Sequence, residues 1–224
     1  MKTEFSTSSA EPASTPSFRH NVTIEIAGAA IFIGISAVVS AIITPILPRI
    51  PGWGIAIFDP ISIIWITCFL IFGWRSGLIC LAGGSVILFF FDPTGIGPFF
   101  KFFATLPFLA VPIAIYFISK ATRKTEIDMK SWIFGVKVYG LSMIIAWGAR
   151  ILLMLWANWV MFTFLLAPHI INYVNLSFFG LPDIKAWDAV IIMAILINSW
   201  QSIFDVIIPY LITFKLVPKY MQIS

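Results

Sequence analysis

The stretch "LINSWQSIFDV", residues 196–206, places polar side chains in a segment that is otherwise apolar. Asn198, Gln201 and Asp205 are spaced by three and then four residues, so a helix through this stretch carries all three on one face. A polar side chain in hydrocarbon is costly unless a partner satisfies it, and such residues usually mark function. The stretch therefore predicts a membrane helix with one polar face.

The composition of the whole chain supports a membrane location. Of the 224 residues, 60% are hydrophobic and 11% are charged, whereas a soluble domain is about half apolar and about a quarter charged. We therefore expect an all-α integral membrane protein of the cell membrane. The net charge of +4 is modest. In a membrane protein, basic residues indicate the orientation of the spans and not binding to nucleic acid.

Apolar runs long enough to span a membrane define the organisation of the chain. Residues 1–20 are rich in Ser, Thr and Pro, which predicts a disordered tail, and residues 21–220 are expected to form one transmembrane domain. The third run is short, so it predicts either a short span or a re-entrant segment. The six runs are Ile24–Leu47, Ile55–Phe72, Leu78–Phe91, Phe99–Ile118, Ser131–Ala167 and Ala186–Val217.

Basic residues predict the orientation of these six spans. If the N-terminus is cytoplasmic, nine Lys and Arg residues fall in inside connections and three fall outside. The positive-inside rule then favours six transmembrane helices with both termini cytoplasmic.

Small residues recur along one face of the first predicted helix. The stripe consists of Ala27, Ala30, Gly34, Ala37 and Ala41, at steps of three and four. Helices in lipid associate where small residues let backbones approach closely. This small-residue stripe predicts packing against another helix of the same chain or docking of a separate membrane subunit.

Further polar residues lie in two other predicted helices. Arg150 and Asn158 are eight residues apart in the fifth, and Lys101 begins the fourth. A buried ion pair is our favoured interpretation of Arg150 and Asp205, and internal packing is an alternative for each of the others. Together the amides, Lys101 and nearby Trp200 indicate a small-molecule site with aromatic walls and few polar groups. Amides suit an uncharged, hydrogen-bonding ring.

Motifs for catalysis or metal binding are absent from the sequence. There is no paired His and Glu, no Gly-x-Ser-x-Gly elbow and no phosphate-binding loop. Cys68 and Cys80 match no metal spacing, so they are expected to be small core residues. We expect no enzyme activity, no catalytic cofactor and no metal. An embedded hydrolase is disfavoured because Asp59, Asp92 and Asp205 are scattered over separate segments.

Four stretches, in this order, resemble the substrate-binding S component of energy-coupling factor (ECF) vitamin transporters. The riboflavin-binding branch is the nearest in pattern. The stretches are "FDPISIIWITCFLIFGWRSGLI" (58–79), "GIGPFFKFFATLPF" (95–108), "MLWANWVMF" (154–162) and "INSWQSIFDVIIPYLITFKL" (197–216).

The resemblance implies a subunit of six helices that captures a vitamin, riboflavin by preference, from outside. Its partners would be a transmembrane coupling subunit and two cytoplasmic ATPases, docked through Ala30, Gly34, Ala37 and Ala41. Ligand contacts carried over from the riboflavin branch are Asn158, Asn198 and Gln201. Two positions depart from the pattern: Gln201 replaces an expected lysine, and Lys101 stands where Asn is common.

A second hypothesis keeps the stripe but needs no ligand. The chain would then be a non-transport scaffold subunit of a membrane assembly, for example one that organises synthesis of the cell envelope. Replacing Asn198 and Gln201 by Leu distinguishes the two hypotheses, because a scaffold should keep its partner.

Overall fold

The computed structural model describes residues 22–92, 95–123, 135–166 and 168–216. The predicted tail of residues 1–20 lies outside the described residues. Within these ranges the chain forms six α-helices and a short two-stranded antiparallel sheet. The helices are α1 Val22–Ile42, α2 Ile61–Phe72, α3 Trp74–Leu88, α4 Ile96–Arg123, α5 Val136–Val160 and α6 Ala186–Leu211, and the strands are β1 Asn175–Leu176 and β2 Leu181–Lys185.

Four of the described helices, α1, α4, α5 and α6, are long and apolar enough to cross a membrane. This confirms the coarse prediction of a helical membrane protein. Wider helical turns at Met161–Leu165 and Ile212–Leu216 extend α5 and α6. The β1–β2 pair between α5 and α6 was not predicted from the sequence.

The predicted end of the second span at Phe72 is confirmed, whereas its predicted start and both predicted ends of the third span were wrong. Residues 55–60 are not helical, so α2 has 12 residues, and α3 begins at Trp74 and has 15. At 1.5 Å per residue these helices are about 18 and 22 Å long, shorter than the roughly 30 Å of a hydrocarbon core. The "GWRSG" connection is also helical from Trp74 onward, because Gly73 alone makes the turn with a φ of 101°.

Helices α2 and α3 pack as a tight antiparallel hairpin. A Cβ atom at Gly77 would lie 2.6 Å from Cβ of Phe69, and one at Gly84 would lie 2.4 Å from Nε1 of Trp65. The two backbones therefore approach closely only because these positions lack side chains. Trp65 is fully buried and donates a 2.9 Å hydrogen bond to Oγ of Ser36 on α1.

Contacts between the helix ends show that consecutive helices alternate in direction. Ser76 at the start of α3 donates to the carbonyl of Glu25 near the start of α1. Trp74 contacts Phe117 near the end of α4, and Phe103 near the start of α4 contacts Trp156 near the end of α5. Tyr139 near the start of α5 contacts Phe214 beyond α6. The start of α1 and the end of α6 therefore lie at the same end of the bundle.

Helix α2 lies at the centre, with nine of its 12 residues buried against α1, α3, α4 and α6. Because α2 is short, residues 43–60, here called the α1–α2 segment, fill the space above its N-terminus. Ile50 of this segment is buried with Leu176, Ala189 and Met193. The segment is thus part of the packed interior.

Replacing Gly84 by Ala should lower the melting temperature of the purified protein, since the new methyl group overlaps the Trp65 indole. Overpacking of this kind costs about 1–3 kcal/mol. Gly148→Ala on α5 is the matched control, because a Cβ there meets nothing within 4 Å. Equal melting temperatures for the two variants would contradict the close α2–α3 contact.

Candidate functional site

Six charged and amide side chains meet between α4, α5, α6 and the start of α2. Arg150, Asn198 and Asp205 are almost completely buried, and Lys101 is buried as well. The set, here called the polar layer, consists of Asp59, Lys101, Arg150, Asn198, Gln201 and Asp205. The helical spacing at 198, 201 and 205 directs that face of α6 toward α5, as the sequence predicted.

Arg150 organises the α6 side of the polar layer. Its Nη1 lies 2.5 Å from Oδ2 of Asp205, so the predicted ion pair is confirmed. Its Nε donates to Oδ1 of Asn198 at 2.9 Å, and its Nη2 donates to Oε1 of Gln201 at 3.1 Å. The Phe108 ring lies 5.5 Å from the guanidinium carbon and covers one face of the cation.

This arginine also fixes the orientation of both amides. Arginine has donors only, so each amide oxygen must point at Arg150 and each amide nitrogen must point away. Nδ2 of Asn198 donates to the carbonyl of Ala194 at 2.7 Å, one turn earlier in α6. Nε2 of Gln201 donates to the carbonyl of Ala56 at 2.9 Å. The amide oxygen and nitrogen of Asn198 thus both bind partners on α5 and α6, whereas the amide nitrogen of Gln201 binds the α1–α2 segment.

A second ion pair joins α4 to the start of α2. Nζ of Lys101 lies 2.8 Å from Oδ2 of Asp59, while Oδ1 of Asp59 accepts the backbone N–H of Ile61 at 3.0 Å. Ser62 and Thr105 hydrogen bond at 2.7 Å one turn further along the same two helices. Lys101 is therefore bonded within the bundle, and its partner comes from a segment 42 residues away in sequence.

The two ion pairs share one electrostatic environment. The charges of Lys101 and Asp59 both act on Asp205, as does that of Arg150. Two cations and two anions therefore balance within the polar layer. This balance allows burial, since an unpaired charge in a low-dielectric interior costs several kcal/mol or more.

The remaining predicted ligand residues lie beside this layer. Nε1 of Trp200 donates to the carbonyl of Ile57 at 3.1 Å, and the half-exposed indole packs on Phe204. Nδ2 of Asn158 donates to the carbonyl of Met154 at 2.8 Å, within α5 itself. Asn158 is two turns from Arg150, so the structure does not bond it to the other predicted contacts.

Sequence reasoning missed Asp59 as part of this site and treated it as one of several scattered carboxylates. Its position before Pro60 at a helix start is a signal for a capping residue, but nothing in a single sequence pairs it with Lys101. Phe108 was missed for the same reason. Cys68 and Cys80 are buried in the core, as predicted. Among the described residues no cluster of three or more His, Cys, Asp or Glu side chains is placed to bind a metal.

The small-residue stripe faces away from the bundle. Ala27, Ala30, Gly34 and Ala41 are exposed and Ala37 is half-buried. Packing within the chain instead uses another face of α1, which includes Gly28, Ala29, Ser36 and Ser40. A Cβ at Gly34 would meet nothing within 4 Å. The expectation that the stripe packs against a helix of the same chain is therefore wrong for the described residues.

Arg150→Met should destabilise the purified protein by about 3–5 kcal/mol, because it leaves Asp205 buried without its counter-ion. The double variant Arg150→Met with Asp205→Leu should be more stable than Arg150→Met alone. Thermal unfolding of the wild type, both single variants and the double variant measures the coupling. Independent, additive losses would show that the two residues do not depend on each other.

Comparison with protein-family models, curated proteins and solved structures finds no match. The function is therefore inferred from the geometry of the site and from the sequence motifs.

Proposed function

We propose that this chain is the membrane-embedded substrate-binding subunit of an ECF-type transporter. It captures a vitamin from outside the cell, and partner subunits drive uptake with ATP. The observation that carries the proposal is the polar layer, which three helices and the α1–α2 segment build within an apolar bundle. Placed charges and amides between aromatic and aliphatic walls are the usual composition of a small-molecule site.

A purely structural role accounts less well for two buried ion pairs. Apolar residues of similar volume hold helices together as well as or better than a buried ion pair does. Ionisable residues inside membrane proteins are rare and usually line substrate or ion pathways. Arg150, which is completely buried, would be a costly way to join α5 to α6 if joining were its only role.

In this proposal all six helices cross the cell membrane, with α2 and α3 as a pair of short spans. The end of the bundle that holds the start of α1 is cytoplasmic, because Arg75, Lys120 and Lys215 lie at that end. The α1–α2 segment then lies at the outer side. The polar layer lies directly beneath this segment, so a ligand arriving from outside meets the segment first.

Riboflavin is the ligand that the sequence motifs favour. The structure supports Gln201 as a contact, since its amide nitrogen faces the α1–α2 segment. Both amides are bonded at oxygen and nitrogen, but the nitrogen of Asn198 binds Ala194 of its own helix, whereas that of Gln201 binds Ala56 of the α1–α2 segment. We therefore keep a vitamin as the substrate and treat a flavin as one candidate among several.

The coupling subunit would dock on the small-residue stripe of α1. The exposed positions Ala30, Gly34 and Ala41 leave a shallow, smooth surface on which another helix can lie closely. The two cytoplasmic ATPases would act through that coupling subunit. The same exposed stripe also supports the alternative function of a non-transport scaffold, which needs a partner helix but no ligand.

Binding of a vitamin should raise the melting temperature of the purified protein. At a ligand concentration 100 times Kd the stabilisation is about 2.7 kcal/mol, and a bound flavin would also appear in the visible absorption spectrum. Gln201→Leu should weaken the response because it removes the donor that faces the α1–α2 segment. Ser199→Ala, two residues away, is the control, since Ser199 contacts Trp147. If no vitamin in a panel of flavins, thiamine, biotin, pantothenate and nicotinate shifts the melting temperature, the binding function is refuted.

Gly34→Leu should abolish co-purification with a co-expressed coupling subunit, because the added side chain prevents close approach of a partner helix. The melting temperature of the isolated chain should stay unchanged, since the position is open. Val38→Leu, also exposed on α1, is the control and should retain the partner. Retention of the partner by Gly34→Leu would exclude this stripe as the docking face.

A further inference from the structure

Four consecutive residues of the α1–α2 segment, Ala56–Asp59, supply acceptors to three donors across the bundle. The carbonyl of Ala56 accepts from Nε2 of Gln201 at 2.9 Å, and the carbonyl of Ile57 accepts from Nε1 of Trp200 at 3.1 Å. The carboxylate of Asp59 accepts from Nζ of Lys101 at 2.8 Å. The segment thus presents two carbonyl oxygens and one carboxylate to donors on α4 and α6.

None of these three groups can act as an acceptor at this place. Lysine and tryptophan side chains have no acceptor, and the oxygen of Gln201 is held by Arg150. The amide of Gln201 therefore cannot turn over without leaving a donor of Arg150 unsatisfied. Whatever occupies this place must offer acceptors to all three.

The charges impose a second requirement. Asp205 neutralises Arg150 whether or not the α1–α2 segment is in place. Lys101 depends on Asp59, so removing the segment leaves one uncompensated buried cation. Burying such a cation is costly, and an anionic group is needed to replace the Asp59 carboxylate.

We propose that the ligand is a carboxylic acid with further acceptor oxygens, and that Ala56–Asp59 occupies its place as an internal competitor. This inference rests on the proposed binding function and narrows it to acidic vitamins. The ligand carboxylate pairs with Lys101, and its acceptor oxygens bond to Gln201 and Trp200. A flavin without a phosphate offers carbonyl oxygens but no anionic group, so it meets only part of this requirement.

Hydrogen bonds within the α1–α2 segment give it a shape of its own, while Ile50 packs against β1 and α6 and Nε1 of Trp53 donates to the carbonyl of Asn175. Arg49 and Ala56 form an antiparallel bridge, the N–H of Ile57 donates to the carbonyl of Pro48, and the N–H of Ile50 donates to that of Ile55. In the proposed exchange these bonds persist and Ala56–Asp59 shifts, while Ile50 and Trp53 hold the other part of the segment against β1 and α6. Three hydrogen bonds to Ala56–Asp59 are then exchanged for three to the ligand.

The test compares pairs of compounds that differ only at the acid group: nicotinate with nicotinamide, pantothenate with panthenol, and biotin with biotinamide. Calorimetry and thermal shift on the full-length protein should show at least one acid binding about tenfold or more tightly than its neutral partner. If every acid that binds is matched in affinity by its neutral partner, or if only riboflavin or thiamine binds, the inference is overturned while the binding function stands. If no vitamin binds, the binding function itself fails.

Variants of Asp59 and of Lys101 distinguish a change in acid binding from a general loss of stability. Asp59→Asn removes the competing charge but keeps an oxygen for the N–H of Ile61, so it should tighten acid binding several-fold. Asp183→Asn, an exposed carboxylate on β2, should leave affinity unchanged. Lys101→Met should abolish the preference for the acid.

Gln201→Glu provides a further test that preserves the contact with Arg150. A glutamate still accepts from Arg150, but it presents an acceptor and a negative charge where the ligand needs a donor. Acid binding should fall by about tenfold or more while the protein remains folded. Unchanged or tighter acid binding by Gln201→Glu, or weaker acid binding by a folded Asp59→Asn, would refute the proposed exchange.

Discussion

The buried guanidinium of Arg150 is the constraint on which the arrangement of this site depends. A side chain with five donors and no acceptor, completely shielded from water, needs acceptors on every side. Asp205, Asn198 and Gln201 provide them from successive turns of α6. The distance from α5 to α6 and the rotation of α6 about its axis are thereby set together, because one arginine must reach all three.

The consequences reach the opposite side of the bundle. Since Arg150 holds the oxygen of Gln201, the nitrogen of Gln201 faces the α1–α2 segment and binds the carbonyl of Ala56. That segment enters the bundle because α2 begins only at Ile61, which leaves space above its N-terminus. Asp59 then both caps α2 and pairs with Lys101. The short central helix and the polar layer are therefore parts of one arrangement.

Periodicity within one helix was sufficient to predict part of this site. The shared face of Asn198, Gln201 and Asp205, and the facing position of Arg150, follow from spacing and from the cost of unpaired charge. The pairing of Lys101 with Asp59 does not, because 42 residues separate them and no local pattern links them. Nor could spacing show that the oxygen of each amide faces Arg150 and the nitrogen faces away, since this depends on the donors of Arg150.

For the fold as well, features set by the local sequence could be predicted, and features set by tertiary contacts could not. Long apolar runs identified α1, α4, α5 and α6, since a 3.6-residue period and a length near 20 residues are properties of the local sequence. The start of α2 and both ends of α3 were predicted wrongly because they depend on tertiary contacts. The one-residue turn at Gly73 works only with Gly77 packed on Phe69 and Gly84 on Trp65. The sequence predicted a break at residues 73–77, but it did not show that Gly73 alone is enough for the turn.

Charge balance constrains how this site can open. The polar layer contains two cations and two anions, and only Asp59 comes from outside the long helices α4, α5 and α6. Any movement that withdraws the α1–α2 segment separates the Lys101–Asp59 pair while leaving the Arg150–Asp205 pair intact. An incoming anion restores neutrality as the segment leaves, whereas a neutral molecule would leave Lys101 unpaired. In the proposed exchange, the Arg150–Asp205 pair maintains the architecture of the site, and the Lys101–Asp59 pair determines which charge the site would accept.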